Sequence, residues 1–488
     1  MPDSVVFWAI LPAACGAVIG GLIVLLAYVF LLRPDNRRVK VVETKLNAML
    51  SDLNKMVKHL DGLPKAESAA REPFELGRAA MAAFKWDEAI AHFREAMKEA
   101  EGTQLAALLN LIGLCQYASD RPVDALRDYE ESARLADEFG DKQGKAADLG
   151  NIGNIYSAKG ERDKALKYYE EALVIHREIE HQPGVANQLG NIGNIYSTKG
   201  ELDKALKYYE EALAIHRGIA YQPGVANQLA NIGLIYNAKG EPDKALTYHE
   251  EALAIHREIG YQRGVANQLG KIGGIYSARG ELDKALKHHE EALAIDREIG
   301  YERGVATDLG NIGLIYSAKG EPDKALKHYD EALVIDRAIG YQPGVANQLG
   351  RIGLVYSAKG EPDKALMYGV ESLASYREIA YQPGVASALG NVGNAYVRTM
   401  QTRTSTTSLV NHNDQVDALA KNAIEYLVPA LGMLLEMGIA DGPKQCMWGL
   451  RECLKVLGRE RFVAECVRVG MSKKQAEGLV EERPEATG

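Results

Sequence analysis

The chain has 488 residues, of which 47% are apolar and 25% are charged, and it contains 48 glycines. This composition excludes disordered, collagen-like and disulfide-stapled chains, and five cysteines are too few for a disulfide framework. The formal charge of −9 argues against general nucleic-acid binding, because neutralising phosphates requires a basic face.

The N-terminal segment, residues 5–32, carries no charged side chain. At about 1.5 Å per residue it is roughly 42 Å long as a helix, which exceeds a bilayer core of about 30 Å and predicts a transmembrane helix. The alternative is a cleaved signal peptide, although such a signal has a basic start and an apolar run of only about 7–15 residues. Four basic residues follow the segment: Arg33, Arg37, Arg38 and Lys40. The positive-inside rule then predicts a single-pass membrane protein with its N-terminus out and the rest of the chain cytoplasmic.

Residues 39–63 carry apolar side chains at alternating spacings of three and four, which is typical of a coiled-coil seam. The seam consists of Val39, Val42, Leu46, Met49, Leu53, Met56, Leu60 and Leu63. It predicts self-association into a homodimer through a juxtamembrane coiled coil. The alternative is an amphipathic helix that lies on the membrane or packs on the next domain. Pro64 and Pro73 bracket a short hinge where the helical pattern stops.

Beyond the hinge, one segment recurs at a fixed period. The copy that begins at Asn191 is repeated 40 positions later at Asn231, and further copies begin at Asn151, Lys271, Asn311, Arg351 and, more weakly, Leu111 and Asn391. Within one unit, Leu189, Gly193 and Tyr196 share one face of a first helix, which Gly200 ends. A second helix follows and places Ala205, Tyr209 and Ala212 on its inner face. The repeat is therefore a helical hairpin.

The same six residues carry a family resemblance. Leu189, Gly193 and Tyr196, with Ala205, Tyr209 and Ala212, match the pattern of tetratricopeptide repeats, and the period resembles that of kinesin light chains and cell-polarity adaptors. The resemblance implies an all-α fold, a right-handed superhelical solenoid of helix–turn–helix repeats, here preceded by one transmembrane helix and a short coiled-coil helix. It also implies that the first helices line a concave, peptide-binding surface.

The repeats define the expected domain organisation. The solenoid covers residues 74–470 with about ten repeats, is regular from 144 to 380, and is interrupted by a polar loop at 401–415. Divergent end repeats are expected because they meet solvent on one side. Residues 471–488 are predicted to form a C-terminal cap and tail.

Polar residues follow the first helices on the face opposite the packing side. The predicted peptide-groove residues are Asn187, Asn191, Asn194, Asn227, Asn231, Asn267, Lys271, Asn311, Asn347, Arg351 and Asn391. Asparagine is a poor helix former, and its amide can donate and accept hydrogen bonds to an extended peptide backbone. Cations at two positions, and leucines at 234, 314 and 354, favour a partner segment with acidic and apolar residues. The alternative is that the asparagines hydrogen-bond between repeats or simply face water.

Other polar and sulfur-containing residues give no catalytic or metal motif. His176, His216 and His256 recur at one position, but helix spacings of about 8–10 Å separate them too far for one zinc ion, so they predict a solvated or inter-repeat polar row. Cys446, Cys453 and Cys466 have a spacing unlike zinc motifs and are predicted to be buried thiols. Charged rows, such as the one around Asp203 and Glu211, are interpreted as solvated pairs within a helix.

No nucleotide-binding, metalloprotease or nucleophile motif occurs, so the sequence predicts neither an enzyme nor a cofactor. The predicted function is a membrane-anchored protein–protein interaction scaffold that binds an extended peptide segment in the concave groove of the repeats. The membrane contact is predicted through the N-terminal helix, and no nucleic acid is expected as a partner. The alternatives are a structural spacer or self-assembling membrane coat without a peptide ligand, and an exported array that serves envelope assembly.

Overall fold

The computed structural model describes residues 71–406, 413–439 and 442–481. These ranges contain 21 α-helices, one short 3₁₀ helix and no β-strand, which confirms the predicted all-α fold of helical repeats. The predicted transmembrane helix at 5–32 and the coiled coil at 39–63 lie outside the described residues. The right-handed superhelix stays a prediction.

The helices follow one another as short hairpins along the chain. In order they are α1 (Arg71–Ala82), α2 (Trp86–Ala96), α3 (Gly102–Ala118), α4 (Pro122–Glu138), α5 (Lys142–Ala158), α6 (Arg162–Glu178), α7 (Gln182–Thr198), α8 (Leu202–Gly218), α9 (Gln222–Ala238), α10 (Pro242–Glu258), α11 (Gln262–Ala278), α12 (Leu282–Glu298), α13 (Glu302–Ala318), α14 (Pro322–Ala338), α15 (Gln342–Ala358), α16 (Pro362–Glu378), α17 (Gln382–Thr406), α18 (Asn413–Glu436), α19 (Gly442–Leu457), α20 (Arg459–Arg468) and α21 (Lys473–Glu481). The odd-numbered helices up to α17 are the first helices of the repeats.

The chain divides into two compact units, Met1–Gln268 and Leu269–Gly488, and the division falls within α11. In the first unit, apolar clusters join the second helix of one repeat to the first helix of the next, for example around Tyr169, Leu189 and Ile192. In the second unit, the last helices share a larger cluster that includes Leu427, Leu450 and Phe462. The core of each unit is therefore built from packing between neighbouring helices.

Glycine ends the first helix of each regular repeat because the chain there takes a left-handed backbone conformation. Gly200 has φ 76°, and the next backbone N–H, of Glu201, donates to the carbonyl of Tyr196 at 2.9 Å. This bond satisfies one of the carbonyls left open at a helix end. In three repeats the second helix then begins with a proline, Pro242, Pro322 or Pro362, at a position where no backbone donor is needed.

A tyrosine of the second helix fills the space that a glycine leaves on the first. A Cβ atom on Gly193 would lie 2.7 Å from Cε1 of Tyr209, whose side chain is only 3% exposed. The same contact joins Gly113 to Tyr129, Gly153 to Tyr169 and Gly313 to Tyr329, while His249 and His289 replace the tyrosine against Gly233 and Gly273. Glycine is required here because the two helices hold a buried ring between them.

The turn after each second helix also needs a left-handed residue, and not every repeat supplies glycine. Gly260, Gly300 and Gly340 occupy this position with φ between 67° and 68°, whereas Glu180, Ala220 and Ala380 adopt the same conformation with φ between 52° and 54°. A side chain with a Cβ atom pays about 1–2 kcal/mol for this conformation. Three turns therefore carry local backbone strain.

We expect Ala220→Gly and Ala380→Gly to stabilise the protein by about 0.5–1 kcal/mol each, because relief of the strain exceeds the entropy that glycine adds to the unfolded chain. Midpoints of urea unfolding measure the change. The matched control is Gly260→Ala, which has no neighbouring heavy atom within 4 Å and should destabilise through the backbone alone. Equal midpoints for all three variants would contradict this account.

The sequence predicted that the charged side chains pair within single helices, but several of them pair between repeats. Arg177 Nη2 contacts Glu211 at 2.7 Å, and Lys239 Nζ contacts Asp203 at 2.7 Å, so each pair joins neighbouring repeats. Other pairs, such as Lys204 with Glu201, do lie within one hairpin. Exposed ion pairs contribute about 0–1 kcal/mol each, so these contacts add little to the stability of the fold.

The predicted single-pass topology, with the N-terminus out and the repeats cytoplasmic, is wrong. Among the described residues, the helix that is long and apolar enough to cross a membrane is Asp414–Glu436, on the C-terminal side of the regular repeats. Within this helix, Ala423, Ile424 and Leu427 are fully buried in the apolar cluster of the second unit. Its apolar character is therefore accounted for by core packing.

Candidate functional site

The predicted groove residues lie on the outward face of the first helices in both units. Exposed side chains at one matching position are Asn187, Asn227, Asn267 and Asn347. One turn later, Lys271 is exposed, and the half-buried residues are Asn191, Asn231, Asn311, Arg351 and Asn391. Asn194, a further turn along α7, is exposed as well. The polar residues that the sequence predicted to face outward thus lie wholly or partly at the surface within each unit.

Some of these amides bind side chains of their own repeat. The Tyr209 hydroxyl donates to Asn194 Oδ1 at 2.7 Å, and the Tyr169 hydroxyl donates to Asn154 in the same way at 2.8 Å. In the second unit the Tyr376 hydroxyl donates to Asn347 Oδ1 at 2.7 Å. These three oxygens already accept one hydrogen bond, so the structure assigns part of the row a structural contact.

Glutamines hold consecutive first helices side by side. A Cβ atom on Gly150 of α5 would lie 2.7 Å from Nε2 of Gln188 in α7. In the same way, a Cβ atom on Gly190 would lie 2.9 Å from Nε2 of Gln228. The buried Oε1 atoms of Gln188 and Gln228 accept no hydrogen bond from the described residues. Because the helices touch through these amides, the outward residues of neighbouring repeats form one face within a unit.

The corresponding face of the second unit carries cationic and apolar side chains. The Arg351 guanidinium lies 5.9 Å from the centre of the Tyr329 ring, and its Nη1 lies 2.9 Å from where a Cβ atom on Gly310 of the preceding first helix would be. Leu314 and Leu354 are 46% and 50% exposed at the position that Asn194 holds in α7. A half-buried arginine beside an aromatic ring, next to exposed leucines, suits carboxylate and apolar groups.

The recurring histidines form an inter-repeat row that is buried. His176, His216 and His256 are each less than 5% exposed, and each packs on the glycine that opens the next first helix, Gly184, Gly224 or Gly264. Burial, together with the neighbouring His181, lowers the pKa of His176 to about 4, and burial also lowers the pKa of His216 and of His256. Asp296 and Asp336 take this position in the second unit. Of the two predicted environments, the inter-repeat one is confirmed.

Cysteines play a packing role in the described chain. Cys446, Cys453 and Cys466 are at most 1% exposed and lie in the apolar cluster of the second unit, as predicted. Burial raises the pKa of Cys446 to about 11 and that of Cys453 and Cys466 to about 12, which keeps all three as unreactive thiols at neutral pH.

A pocket that no sequence motif predicted lies at the C-terminal end of the regular repeats. It encloses about 410 Å³ within the second unit, and its walls include Gly353, Leu354, Gly369, Asn394, Arg398 and Trp448. These residues come from α15, α16, α17 and α19. The only signal in the sequence was that glycine replaces the recurring tyrosine or histidine at position 369.

Comparison with known proteins identifies the repeat. The family profile described as tetratricopeptide repeat matches residues 103–178, 144–218, 184–258, 224–298, 264–338 and 304–378, and the chain belongs to this family. The predicted resemblance is therefore confirmed. Among curated proteins, no match was found.

Several solved structures are similar to parts of this chain. The apo form of the quorum sensor NprR from B. thuringiensis is 16% identical, covers 69% of this chain and 95% of its own, and has a TM-score of 0.53. The signal transduction ATPase PH0952 from Pyrococcus horikoshii, which has a tetratricopeptide repeat sensor, is 16% identical over 76% of this chain and 55% of its own, with a TM-score of 0.54. Repeats of a putative kinesin light chain from Podosopora anserina match at 16% identity over 39% and 96%, with a TM-score of 0.34.

Tetratricopeptide-repeat proteins are helical scaffolds for protein–protein interaction, and this chain is of that class. The described residues contain no group of three metal-ligating side chains that could hold an ion. The predicted absence of enzymatic activity stays a prediction.

Proposed function

We propose that the repeat domain, residues 74–470, binds an extended segment of a partner protein along the outward face of its first helices. The observation that carries the proposal is the row of exposed amides, cations and leucines at matching positions of successive repeats, such as Asn187, Asn227 and Asn267. Asparagine costs up to about 0.7 kcal/mol relative to alanine within a helix. Helix propensity therefore does not explain the asparagines at positions 187, 227 and 267.

Each residue type on this face has a chemical role in the proposal. The amides of Asn191, Asn231 and Asn311 hydrogen-bond the peptide backbone, which offers donors and acceptors whatever its sequence. Lys271 and Arg351 attract carboxylates of the partner, and the guanidinium also offers paired donors. The exposed leucines contact apolar side chains. The partner segment is thus extended and contains acidic and apolar residues.

We expect simultaneous replacement of Asn191, Asn231, Lys271, Asn311 and Arg351 by alanine to weaken peptide binding at least tenfold while the protein stays folded, because each side chain faces solvent at least in part. Peptides are first selected with the wild-type protein from a displayed library of random 12-residue sequences. The affinity of one selected, fluorescein-labelled peptide is then measured by fluorescence anisotropy.

The control variant replaces Lys207, Lys287 and Lys327, exposed on the second helices, by alanine, and should change the affinity less than twofold. Equal affinity of the groove variant and the wild type would move the binding surface elsewhere. A selection that enriches no peptide would favour the structural spacer or self-assembling coat instead.

A further inference from the structure

The pocket of the second unit exists because one repeat lacks its aromatic ring. In four other hairpins a tyrosine ring lies 2.6–2.8 Å from where a Cβ atom on the opposing glycine would be, as with Tyr329 and Gly313. Opposite Gly353 the chain has Gly369, so the nearest atoms there are backbone and Cβ atoms at 3.3–3.5 Å. The volume of one tyrosine ring is thus left open between α15 and α16.

The next hairpin lacks the tyrosine hydroxyl that donates a hydrogen bond to an asparagine in earlier repeats. In α5 and α7 the asparagine after the contact glycine accepts a hydrogen bond from a tyrosine hydroxyl. In α17 the corresponding glycine, Gly393, instead meets Leu427, which has no hydroxyl to donate. The buried Oδ1 of Asn394 consequently has no donor among the described residues, and the Asn394 side chain lines the pocket. A buried amide oxygen without a donor is costly unless a ligand or water supplies one.

The pocket mouth adds an apolar and a cationic wall. Trp448 of α19 is 39% exposed, and the Arg398 guanidinium lies 5.9 Å from the centre of its ring. Leu354 is half exposed on the opposite wall. No carboxylate belongs to the residues that line the pocket. The volume of about 410 Å³ is within the range of about 300–1,000 Å³ that is usual for binding pockets.

We propose that this pocket binds a tyrosine side chain of the partner segment, flanked by acidic residues, and so fixes the register of the peptide on the repeats. The inference rests on the proposed function and adds its specificity site. The partner's ring takes the place that Tyr129, Tyr169, Tyr209 and Tyr329 fill within their own hairpins, its hydroxyl or backbone supplies a donor to the Asn394 amide, and its carboxylates meet Arg398. A face of nearly identical repeats reads little sequence by itself, whereas a single unlike pocket distinguishes one residue of the partner from the others.

Two fluorescein-labelled probes test this inference on the full chain: the peptide Gly-Ser-Glu-Tyr-Glu-Ser-Gly and the same peptide with alanine in place of tyrosine. We expect the tyrosine probe to bind the wild-type protein at least tenfold more tightly than the alanine probe. In Gly369→Tyr, which restores the ring found in other repeats, the two affinities should agree within twofold, and the alanine probe should bind as it does to the wild type.

The Gly369→Tyr substitution should be tolerated, although Val392 is the nearest neighbour of a Cβ atom at position 369. In an earlier repeat Ile232 occupies the position equivalent to Val392, and it packs in one cluster with Tyr209, the equivalent of residue 369. Met367→Tyr adds a tyrosine to an exposed site of the same helix and should keep the tenfold preference. Should Gly369→Tyr fail to fold, Leu354→Asp, at a half-exposed wall position, should also remove the preference.

Equal affinities of the two probes for the wild-type protein, or a preference that persists in folded Gly369→Tyr, would overturn the pocket assignment and leave the groove proposal intact. If neither probe binds the wild-type protein although the library selection enriches peptides, the pocket assignment fails and the groove proposal stands. If the selection enriches no peptide either, both proposals fail.

Discussion

Gly193→Ala is expected to destabilise the protein by about 2–3 kcal/mol, although alanine is the better helix former by about 1 kcal/mol. The new methyl group would lie 2.7 Å from Cε1 and 2.8 Å from Cδ1 of Tyr209. This ring is buried, and its hydroxyl bond to Asn194 at 2.7 Å fixes its position. Relief of the clash therefore requires either separation of α7 from α8 or loss of that hydrogen bond.

The chain contains a matched control for this substitution. Gly274 lies within the first helix α11, is exposed, and has no heavy atom within 4 Å of a built Cβ atom, so Gly274→Ala should raise stability by about 0.5–1 kcal/mol. Midpoints of urea unfolding by circular dichroism distinguish the two variants. If both substitutions raised the midpoint equally, tyrosine–glycine packing would not hold the hairpins together.

The second large effect is a loss of stability in mild acid caused by the histidine row. Burial lowers the pKa of His176 to about 4, below the ordinary value of about 6.5 in an unfolded chain. Between these values the unfolded chain binds a proton that the native protein does not, so stability is complete above about pH 6.5 and falls as the pH drops. The slope is about 1.4 kcal/mol per pH unit for each such histidine.

Between pH 7.5 and pH 5, the free energy of unfolding should fall by about 2–4 kcal/mol more for the wild type than for the triple variant His176→Gln, His216→Gln, His256→Gln. Urea unfolding at the two pH values measures the difference. Asp148 acts in the opposite direction, because burial raises its pKa to about 7 and the native state therefore gains a proton on acidification. This contribution is common to both proteins and cancels. The control His92→Gln lies outside the row, and an equal gain there would contradict the assignment.

The fold was predictable from the sequence because its information is local and repeated. The contact glycine at 193, the tyrosine at 209 and the stop glycine at 200 lie within one hairpin, and the same arrangement recurs 40 positions away. The outward position of Asn187 and its equivalents follows from the helical period alone, and the structure places them at the surface. Whether they contact a ligand is a separate question that the peptide experiment addresses.

Other features depend on residues that only the tertiary structure brings together. The burial of His176 requires the first turn of the next repeat, and the hydrogen bond of Tyr376 to Asn347 spans 29 positions. The apolar helix near the C-terminus owes its composition to the cluster it joins, a cause that hydropathy along the chain does not distinguish from a membrane span.

The sequence by itself thus determined the helical hairpin, its period and the family, because each hairpin folds from contacts among near neighbours in the chain. The tertiary structure decided which polar residues are buried and where a departure from the repeat pattern leaves a pocket. The pocket joins Gly353 and Gly369 to Asn394 and Trp448 across nearly a hundred positions. A missing ring becomes a cavity only when the helices around it are packed, and that packing is a property of the folded chain.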